Sequence, residues 1–293
     1  MNNLVNIAGA TLGIGIALYV LVVVGMFAFQ RHLLYKPEGI PAPPKANDVP
    51  EMREILFRTT DGLALAAWWS PPPSEEAATV IIFHGNSGNR AWVARKIRLY
   101  LDAGFGVMVP DYRGFGGNPG SPSEDGLQID AVAARNYVLE EGVHGNRLFY
   151  HGESLGSGVA TWLATEHPPR GLILEAAFTS IPDVAQGIYP WLPARAVTLD
   201  RFTSLRRISQ VRAPVLLLHG EKDETVPHTH SQELLEAHPG PKQRITFPDG
   251  EHANLYDHGA GVIAISWIHD QLYSRESGSA ASGSGSLPAP EHL

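Results

Sequence analysis

"LFYHGESLGSG", residues 148–158, is an apolar run that breaks off into glycine, a charged residue, serine and glycine. Gly152-Glu153-Ser154-Leu155-Gly156 fits the pattern G-x-S-x-G, and an apolar run feeding into it predicts a strand, a tight turn and a helix. So sharp a turn strains the serine's backbone, and a side chain two residues to either side would collide with it. Ser154 is therefore expected to stand exposed where a helix begins at Leu155. Unpaired amides and the helix dipole there favour a developing negative charge. The plainer reading makes Ser154 a helix N-cap, and that reading needs no partners elsewhere in the chain.

On either side of this stretch the chain alternates short β-rich runs with helical ones. Residues 54–69 read as two strands joined around Asp61-Gly62. "TVIIF" (79–83), "FGVMVP" (105–110), "RLFYH" (147–151), "LILE" (172–175), "PVLLLH" (214–219) and "QRITF" (243–247) read as further strands. Helices are expected over 91–101, 155–166, 229–238 and 259–273. Another should run toward Glu141, opened by a capping box at Ser121-Pro122-Ser123-Glu124 with proline at its first position. Continuous apolar strands alternating with helices predict an α/β fold, a mostly parallel sheet covered on both faces. Chemistry in such sheets collects at the carboxyl ends of strands.

Partners for Ser154 do lie past strand ends. "GEKDETVP" places Asp223 after "PVLLLH", and "PDGEHANLY" places His252 after "QRITF". A serine hydroxyl is a weak nucleophile near neutral pH and needs an imidazole to take its proton. The imidazole in turn needs a carboxylate to fix its tautomer and stabilise its charged form. The order Ser154, Asp223, His252 suits that division of labour, with Glu175 as the fallback carboxylate. "FHGNSGN" (83–89) follows "TVIIF", and the backbone amides of Asn86 and Leu155 are the expected donors to an oxyanion. His84 reads as an organiser of that loop. His228 and His230, at i and i+2, do not share a helix face, so a solvated loop is favoured there over zinc. No cofactor and no metal are expected.

Together "HGNSGN", "DYRGFGGNPG", "GESLGSG", "HGEKDETVP" and "PDGEHANLY" resemble the α/β-hydrolase superfamily, and more narrowly its membrane-anchored abhydrolase-domain branch. The likeness runs from about residue 31 to residue 273 and includes "LLYKP" and "FTSIPDVA". It implies an α/β-hydrolase fold with a small cap, an N-terminal transmembrane helix and a serine hydrolase acting on a small or lipid-like acyl substrate. Asn118 departs from the family, which commonly shows serine in that loop; the loop reads as structural. Acidic Glu153 would disfavour anionic substrates beside Ser154. Serine at 154 excludes the aspartate nucleophile of epoxide hydrolases and dehalogenases. The 38 residues of 176–213 are too few for a large lid. Cleavage of esters or thioesters is therefore expected, with peptidase or amidase activity, or a silent membrane-anchored binding module, as alternatives. Within the cap, "IYPWLP" (188–193) offers Tyr189, Trp191 and Leu192 as an acyl-binding wall, with simple core packing as the bland reading.

The ends differ from this body. Residues 7–29 form 23 uncharged positions, and about 20 such residues cross the hydrocarbon core of a bilayer. "MNN" before the run and "FAFQRHLLY" after it lack the marks of a cleaved signal peptide, so residues 1–30 read as a single-pass anchor. Residues 31–53, with five prolines, read as a short stiff tether. The hydrolase domain spans 54–274, and the Gly/Ser-rich 275–293 reads as a disordered tail. On this reading the anchor positions the enzyme and adds nothing to the reacting groups. Arg31 and Lys36 beside the anchor lean its catalytic side toward the cytoplasm. The chain has 293 residues, 44% hydrophobic and 18% charged, a composition that supports one α/β domain with appendages. A net charge of −8 without a basic block argues against a nucleic-acid partner. With no cysteine, disulfides, thiolate metal sites and a cysteine nucleophile are excluded together.

Overall fold

Alternation within each apolar strand decides the layers. In β3 (Thr79–Phe83), Val80 and Ile82 pack on one face of the sheet while Ile81 and Phe83 pack on the other. β5 (Leu148–Glu153) divides Phe149 from Leu148 and Tyr150 in the same way, and β7 (Val215–Gly220) divides Leu216 and Leu218 from Val215 and Leu217. Strands this apolar can be stable only if both faces are covered, since each buried aliphatic side chain contributes about 1.5–3 kcal/mol. The computed structural model describes residues 2–273 and contains that arrangement.

Eight strands form one sheet. β1 (Arg53–Arg58) and β2 (Ala64–Ser70) are an antiparallel pair, and Gly62 in the loop between them takes φ 91°. Next come β3, β4 (Gly106–Pro110), β5, β6 (Gly171–Glu175), β7 and β8 (Lys242–Phe247). The spatial order is β8-β7-β6-β5-β3-β4-β2-β1, and every pair from β8 to β4 is parallel. The candidate membrane span is α1 (Asn2–Leu34). Crossovers are made by α2 (Ala94–Asp102), α3 (Glu124–Glu140) and α4 (Leu155–Glu166). Between β6 and β7 lies the small cap with α5 (Ile181–Ile188), α6 (Ala194–Val197) and α7 (Ser204–Ile208). α8 (Thr229–Ala237) and α9 (Ala260–Tyr273) complete the layers.

Three local expectations change. The capping residue of α3 is Ser123, not Ser121: its hydroxyl accepts from the Gly126 amide at 3.1 Å. Glu124 therefore becomes the first helical residue, and its carboxylate accepts from the Arg201 amide at 2.7 Å instead of reaching back to a cap. The helix expected over 91–101 is a single 3₁₀ turn, Arg90–Val93, followed by α2. The segment 31–53 is no free tether. α1 continues through Leu34, Tyr35 is buried, and Lys36–Pro37 pairs with Ser87–Gly88 in the loop after β3. Val49 and Met52 are buried in the core beneath α2 and α9. The proline-rich stretch thus contributes apolar side chains and edge hydrogen bonds that a solvated spacer would forgo. The tail expected over 275–293 lies outside the described residues.

α1 is long and apolar enough to cross a membrane, with a mean hydropathy of 2.5, and none of its most apolar window is buried in the protein. Its 33 residues extend about 50 Å at 1.5 Å per residue, well beyond a hydrocarbon core of about 30 Å. The surplus turns reach the folded body.

Candidate active site

The turn from β5 into α4 is held by contacts that only glycine permits. A Cβ on Gly152 would lie 2.7 Å from the Ser157 Cα, and one on Gly156 would run into the backbone of Phe83 and His84 at the end of β3. Between them Ser154 sits at φ 49°, ψ −118°. For a residue with a side chain, such a backbone costs about 1–3 kcal/mol and persists only where neighbours over-determine it. Its amide donates to the Glu175 carbonyl at 2.9 Å, pinning the turn to β6. The Ser154 hydroxyl makes no capping hydrogen bond to α4.

That hydroxyl lies 2.9 Å from Nε2 of His252, whose Nδ1 lies 2.7 Å from Oδ2 of Asp223. A carboxylate on Nδ1 selects the tautomer protonated there. Nε2 is then left to accept the serine's proton. Asp223 is held by its own turn: Oδ1 accepts the amides of Thr225 and Val226 at 2.9 and 2.8 Å. His219 Nε2 stands 3.3 Å from Oδ2. Burial pushes the Asp223 carboxyl up, but hydrogen bonds from His219 and His252 outweigh it and hold the group well below the usual carboxylate range. Burial pushes the His252 imidazole down; the hydrogen bond and charge of Asp223 win, and the ring titrates above its ordinary value. The pair thus favours the imidazolium that forms when a proton arrives.

Glu175, the fallback carboxylate, is committed elsewhere. Its carboxylate lies 2.6 Å from Lys96 Nζ and 3.2 Å from His151 Nε2, with Tyr100 closing the chain 2.9 Å from His151 Nδ1. Lys96 also pairs with Glu153, so the acidic residue beside Ser154 is neutralised rather than presented to substrate. Burial disfavours the Lys96 ammonium, but the charges of Glu153 and Glu175 outweigh it and raise its pKa. This cluster escaped sequence reasoning. Its signal is the i, i+4 spacing of Lys96 and Tyr100, which puts the lysine on the buried face of α2.

Ser154 lies in the wall of a cavity of about 280 Å³ shared with Asn86, Leu155, Phe178, Tyr189 and Leu192. Trp191 does not line it. It faces outward, half exposed, with its ring edge-on to Tyr19 of α1 at 6.4 Å. Met26, Phe27, Leu33 and Leu34 of α1 form part of the same wall, so the candidate membrane span also shapes the cavity beside Ser154. Gln30 fastens it there: its Oε1 accepts from the Leu199 amide at 2.8 Å and its Nε2 donates to the Val197 carbonyl at 3.3 Å. Arg31 adds a two-pronged pair with Asp200 at 2.8 and 3.1 Å. Nothing in the apolar sequence of α1 distinguishes a cavity wall from a lipid-facing surface.

The remaining candidates have structural partners. His84 is buried and lies 2.9 Å from the Gly85 carbonyl through Nδ1, while Tyr112 donates to the His84 carbonyl at 2.9 Å. The loop around 228–230 is not merely solvated: His230 Nδ1 lies 2.8 Å from the Thr179 hydroxyl, tying α8 to the start of the cap. Asn118 bridges two strands, accepting from the Ala66 amide at 2.7 Å and donating to the Asp111 carbonyl at 2.8 Å.

Residues 74–203 match the family described as serine aminopeptidase, S33. An uncharacterized protein of Mycobacterium tuberculosis is 39% identical over 243 residues, covering 81% of this chain and 86% of that one. An uncharacterized membrane protein of Saccharomyces cerevisiae is 32% identical over 250 residues, covering 81% and 87%. The alpha/beta hydrolase domain-containing protein WAV2 of Arabidopsis thaliana is 29% identical over 264 residues, covering 81% and 85%. Among solved structures, an esterase of Pyrococcus furiosus superposes with a TM-score of 0.64 at 18% identity, covering 83% of this chain and 98% of that one, which shows the shared fold. By its sheet order, its strained serine turn and these relatives, the chain belongs to the α/β-hydrolase superfamily of hydrolases, in the abhydrolase-domain branch.

Proposed function

We propose that this protein is a membrane-anchored serine hydrolase that cleaves carboxylic esters or thioesters of acyl chains. The observation that carries the reading is the series Ser154 Oγ, His252 Nε2, His252 Nδ1, Asp223 Oδ2, at 2.9 and 2.7 Å, opening onto an apolar cavity. Ser154 Oγ attacks the acyl carbonyl carbon as His252 takes its proton, and the amides of Asn86 and Leu155 receive the charge on the carbonyl oxygen. The C–O or C–S bond then breaks. The leaving group departs with the proton from His252, and the acyl group stays on Ser154. Water attacks that ester, again deprotonated by His252, and releases the acid and free serine.

An aminopeptidase reading asks for a free carboxylate to hold a substrate ammonium. Asp200, the carboxylate lining the cavity, is spent on Arg31 and on the Glu124 amide at 3.1 Å. That favours a neutral acyl substrate. The retained strain at Ser154 favours catalysis over a silent binding role, since a residue freed of that duty could relax. Arg31 and Lys36 lean the body toward the cytoplasmic side; protection of the body from protease in sealed right-side-out vesicles is expected, and digestion there would reverse the orientation.

The decisive experiment is labelling with a fluorophosphonate, followed by hydrolysis of p-nitrophenyl esters and acyl thioesters of graded length. Ser154→Ala abolishes labelling and lowers turnover by roughly 10³-fold or more. Labelling that survives in the alanine variant refutes the assignment.

A further inference from the structure

Depth along α1 locates the cap relative to the bilayer. The Tyr19 hydroxyl donates to the Trp191 carbonyl at 2.9 Å. Tyr19 lies ten residues inside the C-terminal end of the uncharged run 7–29, or about 15 Å into the hydrocarbon if the span ends there. Moving a 20-residue span back to 4–23 still leaves Tyr19 about 6 Å inside. Whatever touches Tyr19 therefore lies below the membrane surface. Around that contact the cap exposes Ile188, Tyr189, Trp191 and Leu199, which are 50%, 36%, 50% and 52% accessible. A cluster of this kind is a liability in water, and an exposed apolar patch marks a contact with a membrane or another protein.

The same segment closes the cavity. Ile188, Tyr189 and Leu192 line it together with Met26 and Phe27 of α1, and Ser154 belongs to the end near Leu34, whose carbonyl accepts from the Asn86 side chain at 2.7 Å beside Gly85 and Ser154. Met26 lies about 12 Å below Leu34 along the helix axis, toward the bilayer. The cavity thus runs along the last turns of α1, its serine end at the surface and its apolar end toward the hydrocarbon.

We propose that the exposed apolar side chains of the cap tip, Ile188, Tyr189, Trp191 and Leu199, are inserted in the leaflet beside α1, with the Arg195–Asp183 pair held at the headgroups, and that the acyl chain enters the cavity laterally from the bilayer through the seam between cap and helix. The identity of the passenger rests on the acyl-hydrolase reading above; the insertion does not. Bilayer hydrocarbon is the occupant of the exposed face because the element it is bonded to is itself the candidate membrane span.

The test uses the full-length protein in phosphatidylcholine vesicles. The emission of Trp191 is isolated as the difference between wild type and Trp191→Phe. It is expected to be quenched by phosphatidylcholine carrying a doxyl group on the acyl chain and shielded from aqueous iodide. Quenching by iodide and not by the doxyl lipid overturns the proposal. A second arm compares Trp191→Glu and Leu199→Glu with wild type on a long-chain ester embedded in the vesicle and on a soluble short ester. Charges placed in the leaflet are expected to lower the ratio of embedded to soluble turnover by about tenfold; an unchanged ratio overturns the proposal. Quenching reads insertion without any chemistry, and fluorophosphonate labelling reads Ser154 without any membrane. Failure of the hydrolase reading and failure of insertion are thereby told apart.

Discussion

Across residues 148–158 every side chain but those of Glu153 and Ser154 is buried, and the turn is fixed by close backbone approaches, Gly152 against Ser157 of α4 and Gly156 against the end of β3. Residues 188–199 instead turn four large apolar side chains outward and hold their place through α1. The first region is rigid because backbone meets backbone, where no rotamer change can relieve a clash. The second is held by a few hydrogen bonds and by burial that the protein alone does not complete. The proposed chemistry, which needs placement to a fraction of an ångström, would use the first, and the proposed recognition of an acyl chain would use the second.

If the serine turn works as proposed, the largest effect after loss of Ser154 itself comes from Asp223, the carboxylate that orients its base. Asp223→Asn leaves the geometry nearly intact but favours the wrong tautomer of His252, and kcat is expected to fall by about 10⁴-fold. Glu175→Gln serves as the control, and an equal fall there would mean the two acids have been exchanged. Steady-state kinetics on one soluble ester separates them.

Next in size is Lys96→Met. It strands Glu153 and Glu175 beside the serine turn without a cation, and removing one partner of a buried ion pair costs about 3–5 kcal/mol. Urea unfolding measures the loss. Burial would raise the Glu175 carboxyl, but the Lys96 charge and the His151 hydrogen bond hold it low in the folded protein. It therefore contributes stability above the ordinary carboxyl range that is lost as pH falls through its depressed value. In the variant this contribution is expected to vanish, leaving a larger deficit at pH 7 than in acid.

A smaller effect appears in the pH profile. Protonated His252 cannot accept the serine's proton, so activity is lost as pH falls through its pKa. Burial lowers that pKa, but Asp223 and then the charges of Glu153 and Glu175 raise it. The acid limb of kcat/KM is thus expected above about 6.5, the ordinary imidazole value. Lys96→Met should move it higher still and Glu175→Gln lower. An acid limb that stays in place in both variants would disconnect the buried cluster from the site.

The cap tip predicts the least. Tyr19→Phe removes one hydrogen bond between α1 and the cap, worth about 0.5–1.5 kcal/mol. Amide exchange across 189–193 is expected to quicken by about two- to tenfold, with unfolding of the sheet unchanged. Exchange that quickens equally in β5 would show that the two regions are not independent.

What residue order determined by itself was whatever depends on neighbours in the chain. The strand alternation of Val80 to Phe83, the helix start at Leu155 and the glycines at 152 and 156 follow from local sterics and period. Asp223 and His252 could be placed because each follows an apolar strand, and parallel strands bring those ends to one edge. The cap of α3 falls two residues later than expected because Glu124 stands at the capping-box spacing from Ser121, and only the positions of Gly126 and Arg201 show that Ser123 caps the helix while Glu124 turns to Arg201. What tertiary structure alone decided lies between distant segments. Trp191 turns to Tyr19, Glu175 pairs with Lys96, and Met26 and Phe27 become a cavity wall. An apolar side chain looks the same in sequence whether it will meet lipid, core or substrate. The hydrophobic effect rewards leaving water without naming the surface that replaces it.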